Sequence, residues 1–307
     1  MSVPAPVLLT DREWPLTRGD QLAVVHARGG ALRSYTVAGE PVVDGWADDE
    51  LPPAFNGAVL APWPNRIRDG RWTRNGVEHQ LPVNEHDRRN ALHGLVAWTD
   101  WQLVQHRIDA VELTCRVPAQ PGYPHELVLG VTWSLTDAGL VCELSARNVG
   151  HAPAPFGVAT HPFFSFADRG VDDLTLTLPA TEYLAVDDRL LPVDVQELAE
   201  PIGELRGVEL DTAYTGLRFD ADGRCRAVLS SDRGEITVWA DEQFGWWQVY
   251  TSGMFDRSDP RYRRSVAIEA MTCGPDAFNS GTDLIELAAG ESWSGRWGVQ
   301  ATLFSLG

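Results

Sequence analysis

Residues 126–149 read ELVLGVTWSLTDAGLVCELSARNV. Leu127, Leu129, Val131, Trp133 and Leu135 fall on alternate positions. Leu140, Cys142, Leu144 and Ala146 repeat the pattern after the Asp137-Ala138-Gly139 break. A period of two sends successive side chains to opposite faces of an extended chain, so each half is a strand with one apolar face. The break carries turn residues, and the two halves are expected to pair as a long antiparallel hairpin.

The same alternation extends outward in both directions. Strands are expected at residues 21–28 and 32–37 around Gly29-Gly30, and at 174–178, 227–230, 236–240, 247–251 and 297–303. Residues 71–74 and 77–81 flank Asn75-Gly76, the strongest two-residue hairpin signal in the chain. Helical periodicity is almost absent, and short strands recur with turn residues between them. The expected fold is all-β: a large antiparallel β-sandwich with few short helices, forming one domain over residues 1–307.

Composition narrows the function classes. With 307 residues, 44% of them hydrophobic, the chain can bury a large core. A net charge of −18 argues against nucleic acid and anionic membrane surfaces as partners. No stretch approaches the roughly 18 apolar residues of a membrane span. The opening MSVPAPVLLTDREW lacks a basic region and its apolar run ends at Asp11, so no secretory signal is expected. Cys115, Cys142, Cys225 and Cys273 lie far apart, which speaks against a metal, a redox motif or a disulfide framework and for a cytoplasmic location. Among the 12 tryptophans, Trp63, Trp98, Trp101, Trp246 and Trp247 are the candidates for a ring that serves a ligand rather than the core.

Residues 265–279, SVAIEAMTCGPDAFN, place Glu269 in an apolar strand. A buried carboxylate needs a partner, because losing water costs several kcal/mol. Two readings are open: a base held in a pocket, or an acid paired with Arg261, Arg263 or Arg264. Two other stretches break the alternation. Residues 56–69, NGAVLAPWPNRIRD, are stiffened by Pro62 and Pro64 into an irregular segment presenting Asn65, Arg66 and Arg68. Residues 154–166, APFGVATHPFFSF, deliver His161, and Pro162 lacks the amide that an interior strand requires. His161 is either a satisfied core histidine or a catalytic one. His93 sits in a loop before Gly94, and Asp211 is either a ligand group or a turn former. Together these groups could supply a base, an acid and orienting contacts for a polyhydroxylated ligand. No nucleophile elbow, phosphate loop, dinucleotide fingerprint or zinc helix is present.

Asn65-Arg66-Ile67, Leu92-His93-Gly94, Gly122-Tyr123-Pro124, Thr160-His161-Pro162-Phe163-Phe164 and Glu269 followed by Pro275-Asp276-Ala277-Phe278-Asn279 stand in the order seen in aldose 1-epimerases. From about Gly19 onward the chain resembles that galactose mutarotase-like family. The resemblance implies a β-supersandwich with a cofactor-free site on its concave face and a small-molecule aldose as partner, in a monomer or homodimer. It implies Glu269 as general base and His161 as the acid that protonates the ring oxygen, on opposite sides of the acetal, with His93 assisting. Arg66, Asp211, Asn65 and Tyr123 would contact the sugar. The chain departs from the family at Phe163, where Tyr is frequent, and at Leu95 and His125, where Gly is. Ordinary values, about 4 for Glu and about 6.5 for His, stand in the right order for base and acid. Two rivals share the sandwich. A hexose-6-phosphate 1-epimerase could use the four arginines of residues 254–264, MFDRSDPRYRR, interleaved with Asp256 and Asp259. A non-catalytic sugar-binding module would not need the Glu269/His161 pair.

Overall fold

The computed structural model describes residues 12–47, 50–251, 255 and 257–304. Most of the N-terminal stretch read for a signal, and Met254 and Asp256 of the arginine-bearing segment, lie outside the described residues. Strand accounts for 53% and helix for 4%. The 126–149 hairpin is the strands Leu127–Thr136 and Gly139–Asn148, paired from Leu127 opposite Asn148 to Thr136 opposite Gly139. Burial alternates along Leu127–Thr136 at every position, as the sequence period requires.

Among the described residues this hairpin lies inside a nine-stranded sheet, flanked by Ala110–Val117 and Ser292–Leu303. A twelve-stranded sheet packs against it, running from Glu13–Arg18 through Phe163–Phe164, Val266–Met271, Trp246–Tyr250 and Asp211–Thr215. Trp133, Trp297 and Leu129 from one sheet meet Leu16, Val25, Tyr35, Val249 and Ile268 from the other in a continuous core. The Trp133 indole N–H donates to the Gly30 carbonyl at 2.9 Å, so even the polar atom of this ring is satisfied. Burying each such aliphatic side chain contributes roughly 1.5–3 kcal/mol, which makes this interlayer the main source of stability.

The Val266–Met271 strand is buried at every residue. Val266, Ile268 and Ala270 face the interlayer core. Met271 belongs instead to a second cluster with Leu60, Ala159 and Trp246 on the other face. Glu269 shares that second face, by the strand's period of two.

Two expectations about local structure change. Residues 56–69 are not wholly irregular: Val59–Leu60 pairs with Ala159–Thr160, and Arg66–Arg68 pairs with Asn90–Leu92. Between those two strands Pro62 and Pro64 stay outside a ladder, since proline cannot donate to one. Asp211 is not a turn former. It opens the strand Asp211–Thr215, opposite Tyr250, where Gln248 engages its side chain. The Arg71–Arg74 and Val77–Gln80 hairpin forms as expected, with positive φ at both Asn75 (50°) and Gly76 (77°). The four cysteines are buried and unpaired.

Candidate active site

Ala159 pairs with Met271, and Phe163 with Ala267. By that register His161 stands opposite Glu269. Pro162 cannot complete the ladder there, so the strand splits into Ala159–Thr160 and Phe163–Phe164 and leaves the imidazole facing the carboxylate. His161 Nε2 is 3.4 Å from Glu269 Oε1, with side-chain exposures of 7% and 2%. The arginine reading of Glu269 falls, because Arg261 pairs with Asp259, Arg263 with Asp172 and Arg264 with Asp44. The two groups are also neighbours rather than residues on opposite sides of the site. That suits a hemiacetal, whose anomeric and ring oxygens sit on one carbon.

Gln248 lies opposite Glu269 on the adjacent strand and shares its face. Its amide donates to Asp211 Oδ1 at 2.5 Å and accepts from Asn65 Nδ2 at 3.1 Å. Arg66 reaches Asp211 Oδ2 at 3.5 Å and forks onto Glu85, Nε to Oε2 at 3.0 Å and Nη2 to Oε1 at 3.0 Å. Asn65 and His93 interlock. The His93 N–H donates to the Asn65 carbonyl at 2.9 Å, and the Asn65 N–H donates to His93 Nδ1 at 3.2 Å. With Nδ1 accepting, the neutral His93 ring carries its proton on Nε2. Both residues have positive φ, 56° and 62°, a conformation that costs about 1 kcal/mol or more and turns both side chains into the cleft. Gly94 follows at φ 73°, where an added Cβ would lie 2.1 Å from the Ala61 carbonyl oxygen. Only glycine fits there.

These groups line a cleft of about 250 Å³ with Phe55 and Tyr250. That is small for a ligand pocket and suits a monosaccharide-sized guest. Phe55 packs edge-on to His93 at 4.8 Å, and His161 stacks on Phe163 at 5.0 Å.

Burial changes the proton inventory. It pushes the Glu269 carboxyl well above the usual carboxylate range, with the Asp211 charge adding to the rise and Arg66 opposing it. It pushes His161 down to about 4, a hydrogen bond to its own backbone opposing and the Arg66 charge assisting. His93 is held well below its ordinary value by burial, then by His161 and Arg66. The order expected from ordinary values is thus reversed, because desolvation drives acid and base alike toward their neutral forms. Between those limits the pair holds one proton. Glu269 Oε2 is buried with no protein partner among the described residues. A buried carboxyl oxygen without a partner costs roughly 1–3 kcal/mol.

Tyr123 is a correction. It is 0% exposed in the core, donates its hydroxyl to the Pro155 carbonyl at 2.7 Å and does not line the cleft. The Pro275–Asn279 turn also acts elsewhere than on Glu269, which it was expected to brace. The Asp276 N–H donates to the Arg66 carbonyl at 2.7 Å, and Asp276 Oδ1 accepts from the Arg68 N–H at 2.9 Å. The turn therefore braces the strand that carries Arg66. Trp63, Trp101, Trp246 and Trp247 are buried, and Trp98, exposed, touches the cleft only through Phe55. Gln248, Glu85, Tyr250 and Phe55 escaped the sequence reading. For Gln248 a signal existed: one amide among Trp246, Trp247 and Val249, on the face opposite the core.

A model of the family described as aldose 1-epimerase matches residues 14–300. The uncharacterized protein YihR of Escherichia coli K12 is 34% identical over 288 residues, 90% of this chain and 89% of its own. The galactose mutarotase of Rattus norvegicus is 32% identical over 150 residues, 46% of this chain and 42% of the rat protein. A solved galactose mutarotase-like protein from Clostridium acetobutylicum superposes with a TM-score of 0.84 over 97% of both chains, at 17% identity. A galactose 1-epimerase from Lactobacillus acidophilus gives 0.78 over 94% of this chain and 93% of that one, at 20% identity. The two structures speak to the fold and the full-length family match to descent: this chain belongs to the aldose 1-epimerase family, isomerases that act on carbohydrates.

Proposed function

We propose that the chain interconverts the α and β anomers of a free aldohexose such as galactose or glucose, with Glu269 as base and His161 as acid. The observation that carries the reading is the register-opposed Glu269/His161 pair at 3.4 Å in a cleft with Arg66. A sugar whose anomeric hydroxyl donates to Glu269 favours the carboxylate form and leaves the shared proton on His161. Glu269 then takes the O1 proton, the C1–O1 bond becomes a carbonyl, and the ring C1–O5 bond breaks as His161 protonates O5. Rotation about C1–C2 presents the other face, and the same two groups run the closure in reverse. Acid and base contribute about 10²–10⁴-fold each. Arg66, Asn65, Asp211, Gln248 and the imidazole of His93 hold hydroxyls, while Phe55 and Tyr250 cover C–H faces.

The phosphosugar alternative loses its main support, since Arg257, Arg261, Arg263 and Arg264 all have carboxylate partners. A binding module has no need of a buried carboxyl held 3.4 Å from an imidazole. In this reading the partner is a small aldose, without cofactor, nucleic acid or membrane, and the buried thiols fit a cytoplasmic setting. Polarimetry of freshly dissolved α-glucose and α-galactose, beside glucose 6-phosphate, tests it. Acceleration over buffer is expected with the free sugars. None at micromolar protein would favour a binder, and acceleration of the phosphate alone would favour the phosphosugar enzyme.

Asp276→Ala should cost about 2 kcal/mol, since a buried charged acceptor for the Arg68 amide is lost. A urea midpoint measures this. KM should rise more than kcat falls, because Arg66 rather than Glu269 loses its brace.

A further inference from the structure

Glu85 has no counterpart in the chemistry above, yet it is among the most tightly held groups at the cleft. Its side chain is 11% exposed. Its backbone exchanges two hydrogen bonds of 3.1 Å with Asn90, and the fully buried Asn90 amide donates to Oε2 at 2.9 Å. Arg66 forks onto both oxygens, and Arg88 Nη1 donates to Oε1 at 3.2 Å. Burial works against its charged form, but the Arg66 and Asn90 hydrogen bonds outweigh it and hold the carboxyl below the usual range.

This placement has two effects. Of the five donors of the Arg66 guanidinium, Nε and one on Nη2 are committed to Glu85, so the plane is fixed and only the remaining edge faces the cleft. The remaining lining charges balance, Glu85 and Asp211 against Arg66 and Arg88, since the Glu269/His161 pair with its one proton is neutral, so the cleft holds no surplus cation for an anion. An anionic substituent would have to draw Arg66 off a buried carboxylate or lie beside one. Building on the mutarotase reading, we propose that Glu85 is a specificity-determining positioning residue that restricts the enzyme to uncharged aldoses and rejects sugars bearing a carboxylate. Rejection by an unfavourable charge is a standard route to selectivity.

Anomer exchange of glucose and galactose, and of glucuronate and galacturonate, followed by NMR at pH 7, tests this. The wild type should favour the neutral sugar by about 10²-fold in kcat/KM. Glu85→Gln should erase about tenfold of that preference, KM falling for the uronate and rising for the neutral sugar as Arg66 loses its anchor. Glu85→Asp, which keeps the charge but shortens the reach, should keep rejecting the uronate while KM for the neutral sugar rises. Arg88→Gln, which leaves the Arg66 fork in place, should sharpen the rejection. An active wild type that uses uronates equally well, or a preference unmoved by Glu85→Gln and Arg88→Gln, overturns the proposal and leaves the mutarotase reading standing. A wild type that accelerates neither sugar overturns both.

Discussion

Replacing Glu269 with glutamine should lower kcat for mutarotation by about 10³-fold while leaving sugar binding nearly intact. The amide keeps the shape and one acceptor oxygen of the carboxylate but cannot take a proton from O1. Folding should not suffer. Burial already raises the Glu269 pKa, so a neutral group is better suited to this position than a charged one. Polarimetry for rate and calorimetry for sugar affinity separate the two effects. Unchanged turnover in a variant that still binds sugar would remove Glu269 from the mechanism.

The second large effect concerns His161 and pH. A free histidine would give the rate profile an acid limb near 6.5, whereas the limb is expected near 4, where the buried ring accepts its proton. Glu269, His93 and Arg66 are the ionisable groups that face it, and the Arg66 charge holds the value down. Below about 4 imidazole and carboxyl are both protonated, no base is left, and the rate falls. The stability sign follows from linkage. The unfolded chain binds this proton below about 6.5 and the folded ring only near 4, so the ring's share of stability is lost as pH falls across that window, while the raised Glu269 carboxyl acts in the opposite direction. Between pH 7 and pH 5 the loss from this ring alone is about 2 kcal/mol. His161→Gln should remove that share, readable in urea midpoints at the two pH values, and cut kcat by about 10²-fold or more. A wild-type limb at 6.5 would mean the ring is not desolvated when it acts.

The fold was readable because a two-residue period needs no tertiary context: residues 126–149 and Asn75-Gly76 declare strand and turn locally. Glu269 and His161 were readable for a related reason, each being a lone ionisable group in an apolar strand. Gln248 and Glu85 were not, because their importance depends on register between strands far apart in the chain. The proton order was missed because ordinary pKa values carry no desolvation. Tyr123 misled since its motif marks a tyrosine without saying which way the ring turns, and the Pro155 carbonyl took its hydroxyl.

The Val266–Met271 strand, hydrogen-bonded on both flanks and covered on both faces, has a consequence for hydrogen exchange. Its amides should be among the last to exchange, opening only with the whole molecule. Among the described residues the Arg66–Arg68 strand has a single ladder neighbour, Asn90–Leu92, and should open at lower free energy. The proposed base thus sits in the last region to melt and the proposed clamp in an earlier one. On warming, the enzyme should lose its grip on sugar, as a rising KM, before it loses its capacity to move protons.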